Sequence, residues 1–245
     1  MTEVRDVVLL HGWGYSSRIW DGLAERLVRR FRVHVPDLPG YGSAPSSSPY
    51  TLEALADTVA RAAPRRCHVV GWSLGGEVAL AWAMRAPRQV ARLALIATTP
   101  CFTRRPGWPC ATDGAVLEEF GRSLAADRAG TMGRFVGAQG KGDSRRQQVT
   151  RVLERALDAG VAGDVLAQGL AVLSAADVRR AVFSVRQPAL VLHGARDRIV
   201  SPVAGRRLAG RLPQARFCLL RACAHAPFVS RPRQVAALLQ EFLGG

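Results

Sequence analysis

Six short apolar runs recur along the chain, and none alternates between apolar and polar positions as a half-solvated strand would. Amphipathic helical stretches separate most of them, so the pattern demands a mostly parallel sheet with helices on both faces, an α/β layered fold. The strands are expected at Val7–Leu10, Phe31–Val35, Cys67–Val70, Arg92–Ile96, Ala189–Leu192 and Arg216–Leu220. Helices are expected at Ile19–Arg30, Leu52–Ala62 with Thr51 as its N-cap, Glu77–Arg85 and Gln234–Leu243. Between Pro100 and Ala181 the strand-like runs vanish, and helical stretches at Ala115–Ala125, Gln147–Ala159 and Val165–Leu173 take their place. The chain is therefore expected to build one core from residues 1–99 and 182–245, with residues 100–181 inserted as a helical lid.

The 245 residues are 48% hydrophobic and 22% charged, which excludes a disordered chain or a small disulfide scaffold. No apolar run approaches the roughly 20 residues needed to span a bilayer. Glu3 and Asp6 stand where a secretion signal would be basic and then apolar. A cytoplasmic protein with no membrane partner is expected, with at most a short leader before the first strand. The five cysteines are an odd number without metal-ligand spacing, so free thiols and no metal site are expected. Net charge is +15, and Lys141 is the only lysine among 34 basic residues. No interleaving of arginine with aromatic residues and no zinc-finger or RNA-module signature accompanies that charge. It reads as arginine-biased composition over a solvated surface, and no nucleic-acid partner is expected.

Chemistry concentrates at Gly71-Trp72-Ser73-Leu74-Gly75, where an expected strand runs into an expected helix. Gly-X-Ser-X-Gly in that context is a sharp turn that exposes a strained serine; larger residues at the two glycines would collide. A serine hydroxyl is a weak nucleophile at neutral pH, so an imidazole must take its proton and a carboxylate must orient that imidazole. On such a sheet the order is serine, acid, histidine, each partner in a loop that follows a strand. Asp197 and His225 fit that order, and His225 is the only histidine beyond Asp197. Asp164 and Asp177 are rival acids, but both lie in the helical insertion. Hydrolysis also needs donors for an oxyanion. Leu74 N–H at the start of a helix is one candidate, and Trp13 N–H in the His11-Gly12-Trp13-Gly14 loop is the other. His11 reads as a brace for that loop.

With Asp37-Leu38-Pro39-Gly40-Tyr41-Gly42 added, the whole chain resembles the lidded α/β-hydrolase family. Four stretches make it most similar to the carrier-protein methyl ester esterases of biotin synthesis. They are Leu9-Leu10-His11-Gly12-Trp13-Gly14, Gly71-Trp72-Ser73-Leu74-Gly75-Gly76, Pro100-Cys101-Phe102 with Trp108-Pro109, and Ala224-His225-Ala226-Pro227-Phe228. The resemblance implies hydrolysis of the methyl ester of pimeloyl-acyl-carrier protein to the free acid and methanol, without cofactor, by a monomer. It implies substrate contacts at Trp13, Ser73, Leu74, Phe135, Val136, Gly137, Ala138, Gln139 and His225; Val136 and Gly137 depart from the family residues. It further implies that Phe102, Trp108, Phe135 and Phe228 enclose the acyl chain. Acyl-carrier protein is the implied partner, held by Arg134, which matches the family, and by Arg146 and Arg151, which match approximately; Gly130 stands where another arginine is expected.

The motifs themselves leave other substrates open. A short-chain carboxylesterase, a thioesterase or a carbon-carbon hydrolase uses the same machinery, and a non-catalytic ligand receptor can retain it.

Overall fold

The computed structural model describes residues 4–245, and Met1–Glu3, the start of the expected leader, lie outside the described residues. Among the described residues six strands form one sheet: β1 Asp6–Leu10, β2 Arg32–His34, β3 Cys67–Trp72, β4 Val90–Ile96, β5 Ala189–Gly194 and β6 Ala215–Leu220. Their order is β2-β1-β3-β4-β5-β6, and every pairing is parallel, so the mostly parallel sheet of the sequence reading is parallel throughout. The chain winds outward from β1 to one edge and then from β3 to the other. Such reversals open a crevice at the carboxyl ends of the strands.

Period-two geometry explains why the strands read as unbroken apolar runs. Val8, Leu10, Val69, Leu93, Leu95 and Val191 join one core cluster, and their neighbours Val7, Leu9, Val70, Ala94, Ile96 and Leu190 join another. The first face is covered by α2 Leu52–Ala62, α3 Leu74–Arg85 and α8 Pro202–Ala209, the second by α1 Asp21–Leu27 and α10 Pro232–Gly244. A short helix, α9 Pro227–Ser230, precedes α10. The Thr51 side chain caps α2 as expected, accepting from Ala54 N–H at 3.2 Å. The helix expected at Ile19–Arg30 is instead a 3-10 turn, Ser17–Trp20, followed by α1, which ends at Leu27.

Four helices lie between β4 and β5: α4 Gly114–Ala126, α5 Arg128–Gly140, α6 Arg146–Ala156 and α7 Gly163–Ala175. The helix expected to run to Ala159 thus stops at Ala156, and α5 is a helix that the pattern did not predict. All five cysteines are free. No helix of the described residues is long and apolar enough to cross a membrane.

Candidate active site

Ser73 sits between β3 and α3 with φ 54° and ψ −120°, a left-handed conformation that a side chain adopts only under constraint. The constraint is visible in the two glycines. A Cβ on Gly71 would strike the Gly75 carbonyl, and one on Gly75 would strike the Leu10 carbonyl. The turn is held from behind, where the Ser73 carbonyl accepts from Gly76 N–H at 2.9 Å and from the Thr98 hydroxyl at 2.8 Å. Strand, turn and helix therefore present Ser73 at the carboxyl edge of the sheet, partly exposed, while Leu74 behind it is buried.

The loops after β5 and β6 bring Asp197 and His225 together. The His225 imidazole donates from Nδ1 to Asp197 Oδ2 at 2.8 Å, and both side chains are buried. Asp197 Oδ1 accepts from the N–H groups of Ile199 and Val200 at 2.8 and 3.0 Å. Burial by itself would raise the Asp197 carboxyl, but the charge and hydrogen bonds of His225 and His193 outweigh it and hold the group below the usual carboxylate range. Donation from Nδ1 leaves His225 Nε2 as the ring's acceptor, the arrangement a general base requires. Neither that nitrogen nor the Ser73 hydroxyl has a hydrogen-bond partner among the described residues, so the two are not bonded to each other in this state. The elbow nevertheless grips the histidine loop: Trp72 donates its indole N–H to the His225 carbonyl at 2.9 Å, and the two rings lie 5.4 Å apart.

The loop after β1 closes the other side. A Cβ on Gly12 would lie 3.3 Å from Ser73 Cβ and 3.1 Å from the Trp72 ring, so this backbone is packed directly on the elbow. His11 braces it as expected, donating from Nδ1 to the Gly12 carbonyl at 2.9 Å and accepting from Leu38 N–H at 2.9 Å. This pattern fixes the neutral tautomer, and burial pushes the imidazole further toward neutrality. Trp13 and Leu74 are both buried, and neither backbone N–H donates to any described residue. Buried amides without partners are rare, and these two are free to receive an oxyanion. The Trp13 ring is anchored by donating to the Leu166 carbonyl on α7 at 2.9 Å.

A cavity of about 150 Å³ opens over Ser73 and Trp13, walled mainly by Phe102, Leu117, Phe120, Phe135, Leu170 and Leu173. Arg198 and Thr112 supply its remaining polar edge. A larger groove of about 590 Å³ between α4 and α7 shares Leu117 and Leu170 with it but does not reach Ser73. Of the stretch 135–139, only Phe135 lines the cavity. Val136 is buried in the second core cluster, Gly137 and Ala138 are half-buried on α5, and Gln139 donates to the Tyr15 hydroxyl at 2.7 Å. Two further expectations need correcting. Trp108 is not a cavity wall; it is buried, with the Arg207 and Arg211 guanidinium groups over its ring, each 4.8 Å from the ring centre. Phe228 is not one either, because it fills the core against Trp20 and Trp72.

Arg134, Arg146 and Arg151 are exposed on α5 and α6. Arg134 leans on Thr131 at 2.8 Å and pairs with Asp127 at 3.7 Å. Sequence reasoning set His193 aside because it ends its strand and precedes the acid; its Nε2 lies 2.9 Å from the Val200 carbonyl and 3.2 Å from Asp197 Oδ2. The same reasoning missed Arg198 at the cavity edge and Asp143 in the turn between α5 and α6; the latter carried no sequence signal at all.

Comparison with known proteins agrees with this fold. A family profile described as "Alpha/beta hydrolase family" matches residues 7–238. The chain is 42% identical to a pimeloyl-[acyl-carrier protein] methyl ester esterase of Aromatoleum aromaticum, over 98% of each chain. It is 39% identical to the protein of that name from Nitrosomonas europaea, over 94% of this chain and 92% of the relative. Among solved structures, a hydrolase from Pseudomonas aeruginosa superimposes with a TM-score of 0.83 at 25% identity, covering 100% of this chain and 92% of that one. An esterase from Exiguobacterium antarcticum shares the fold with a TM-score of 0.88 at 19% identity, covering 100% and 94%. The chain belongs to the alpha/beta hydrolase family.

Proposed function

We propose that the protein is a serine carboxylesterase that hydrolyses the methyl ester of pimeloyl-acyl-carrier protein, releasing methanol and leaving the free carboxylate on the carrier-bound chain. The observation that carries the chemistry is the 2.8 Å bond from His225 Nδ1 to Asp197 beside the strained Ser73. The substrate assignment is supported by the full-length similarity to relatives that bear that activity in their names. In this reading His225 Nε2 takes the proton as Ser73 Oγ attacks the ester carbonyl. The Trp13 and Leu74 amides receive the oxyanion. His225 then returns the proton to the departing methoxide, which leaves as methanol. Water, deprotonated by the same imidazole, opens the acyl-serine and regenerates the hydroxyl. The apolar wall around Phe102 and Phe135 excludes water from the acyl chain and favours a chain of methylenes over a polar one. Arg134, Arg146 and Arg151 present cations to an acidic carrier. The protein acts as a cytoplasmic monomer in this account.

The test measures methanol and free thiol released side by side from the carrier-bound methyl ester. Methanol alone is expected, with Ser73→Ala slower by at least about 1,000-fold. Thiol release would instead make the protein a thioesterase, and binding without turnover would make it a receptor. A strain lacking the gene is expected to require biotin, and to lose that requirement when the gene is restored.

A further inference from the structure

The loop that carries His225 is held from the insertion as well as from the sheet. Asp143, in the turn between α5 and α6, is buried and has no ion pair among the described residues. A carboxylate buried that way is costly unless hydrogen bonds replace its water. Here they do. Asp143 Oδ2 accepts from Ala224 N–H at 2.9 Å, the residue just before the histidine, and Oδ1 accepts from the Ser230 hydroxyl at 2.7 Å and Arg145 N–H at 2.8 Å. Two more contacts flank it. His225 N–H donates to the Gln139 carbonyl at 3.2 Å, and Ser144 N–H donates to the Ala222 carbonyl at 3.1 Å. The same turn also rests on the acid's loop, since a Cβ on Gly142 would lie 3.3 Å from Arg196 Cβ.

We propose that Asp143 is a positioning residue for the general base: an insertion carboxylate that fixes the backbone at Ala224 and so sets where the His225 imidazole meets Ser73. The proposal rests on the esterase reading above. It follows that the α5–α6 half of the insertion and the histidine loop move as one body. Lifting that half away from the core would break the four hydrogen bonds at positions 222, 224 and 225, so entry to the cavity belongs to the α4 side, where Thr112, Val116 and Phe120 form the wall.

The experiment compares wild type, Asp143→Ala and Asp143→Asn on p-nitrophenyl butyrate, with folding followed by circular dichroism and with amide exchange read at residues 222–226. Asp143→Ala is expected to lose about 10- to 100-fold in kcat, with KM within about threefold, because a misplaced base slows chemistry more than binding. Asp143→Asn keeps an acceptor for Ala224 N–H and is expected to recover most of kcat. Exchange should quicken at residues 222–226 in the alanine variant and stay unchanged in α10. A lowered melting temperature with wild-type kcat in the folded fraction would overturn the proposal and leave Asp143 a stabilising contact only. Equal losses in the two variants, or unchanged exchange at 222–226, would also overturn it. If Asp143→Ala fails to fold, Asp143→Ser decides, because its shorter side chain withdraws the acceptor from Ala224 N–H: a loss in kcat with quicker exchange at 222–226 supports the proposal, and wild-type kcat or unchanged exchange contradicts it. Failure of the wild type to hydrolyse any ester would instead refute the esterase reading.

Discussion

Glu77 lies one helical turn beyond Ser73, fully buried, with Oε2 lacking any hydrogen-bond partner among the described residues. Burial raises its carboxyl well above the ordinary carboxylate value, so the folded chain keeps a proton that the unfolded chain releases near pH 4. Stability then falls as pH rises from that point toward the folded-state pKa, because the unfolded state binds fewer protons over the interval. Glu77→Gln, which is neutral at every pH, is expected to melt higher than wild type at pH 8 and to lose that advantage by pH 4. Parallel melting curves across the range would show that Glu77 is not neutral when folded. This role was not legible in the sequence, where an acidic residue in the first turn of a helix reads as a favourable partner for the helix dipole. The strained turn at Ser73 and the Asp197–His225 pair were legible because the Gly-X-Ser-X-Gly pattern marks the one and loops after expected strands carry the other. Asp143 was not, since its partners at Ala224 and Ser230 are set only by the way α5 and α6 fold back on the core.

The strands and the helices with a strong apolar stripe were read closely, and helices α5 and α8 were not. The α2 boundaries follow from Thr51 and the apolar stripe, and all six strands lie within about two residues of their expected ends. Helix α5 went unread because Gly130, Gly133, Gly137 and Gly140 depress its intrinsic helicity; burial of Met132, Val136 and Gln139 supplies what propensity does not. Helix α8 did carry a signal, Ser201 before Pro202, and the Ser201 hydroxyl caps it at 3.2 Å from Val203 N–H. The elbow is the least tolerant element. Gly75→Ala puts a methyl group against the Leu10 carbonyl, an overpacking expected to cost about 2–4 kcal/mol. Chemical denaturation would measure the loss, and a change below about 0.5 kcal/mol would mean that the turn is looser than its backbone angles imply.

At the scale of the molecule, two facts divide the work. The parallel sheet gathers Ser73, Asp197 and His225 in loops at one edge, and the chain carries a net charge of +15, which bears on encounter rather than on fold. If Arg134, Arg146 and Arg151 steer an acidic carrier, kcat/KM for the carrier-bound ester falls several-fold between about 0.05 and 0.3 M salt. The rate on neutral p-nitrophenyl butyrate should stay flat over the same range, and equal salt dependence of both would remove the steering role. Net charge alone could not locate that face, because arginines occur all along the chain.

The central claim is that Ser73 is activated by His225, and covalent trapping reads it directly. Wild type and His225→Ala are incubated with a short alkyl p-nitrophenyl phosphonate, and the labelled peptide is identified by mass spectrometry. One adduct per chain is expected, on Ser73, forming at least about 100-fold faster in wild type than in the variant. Labelling of a different residue, or equal rates in the two proteins, would contradict the account.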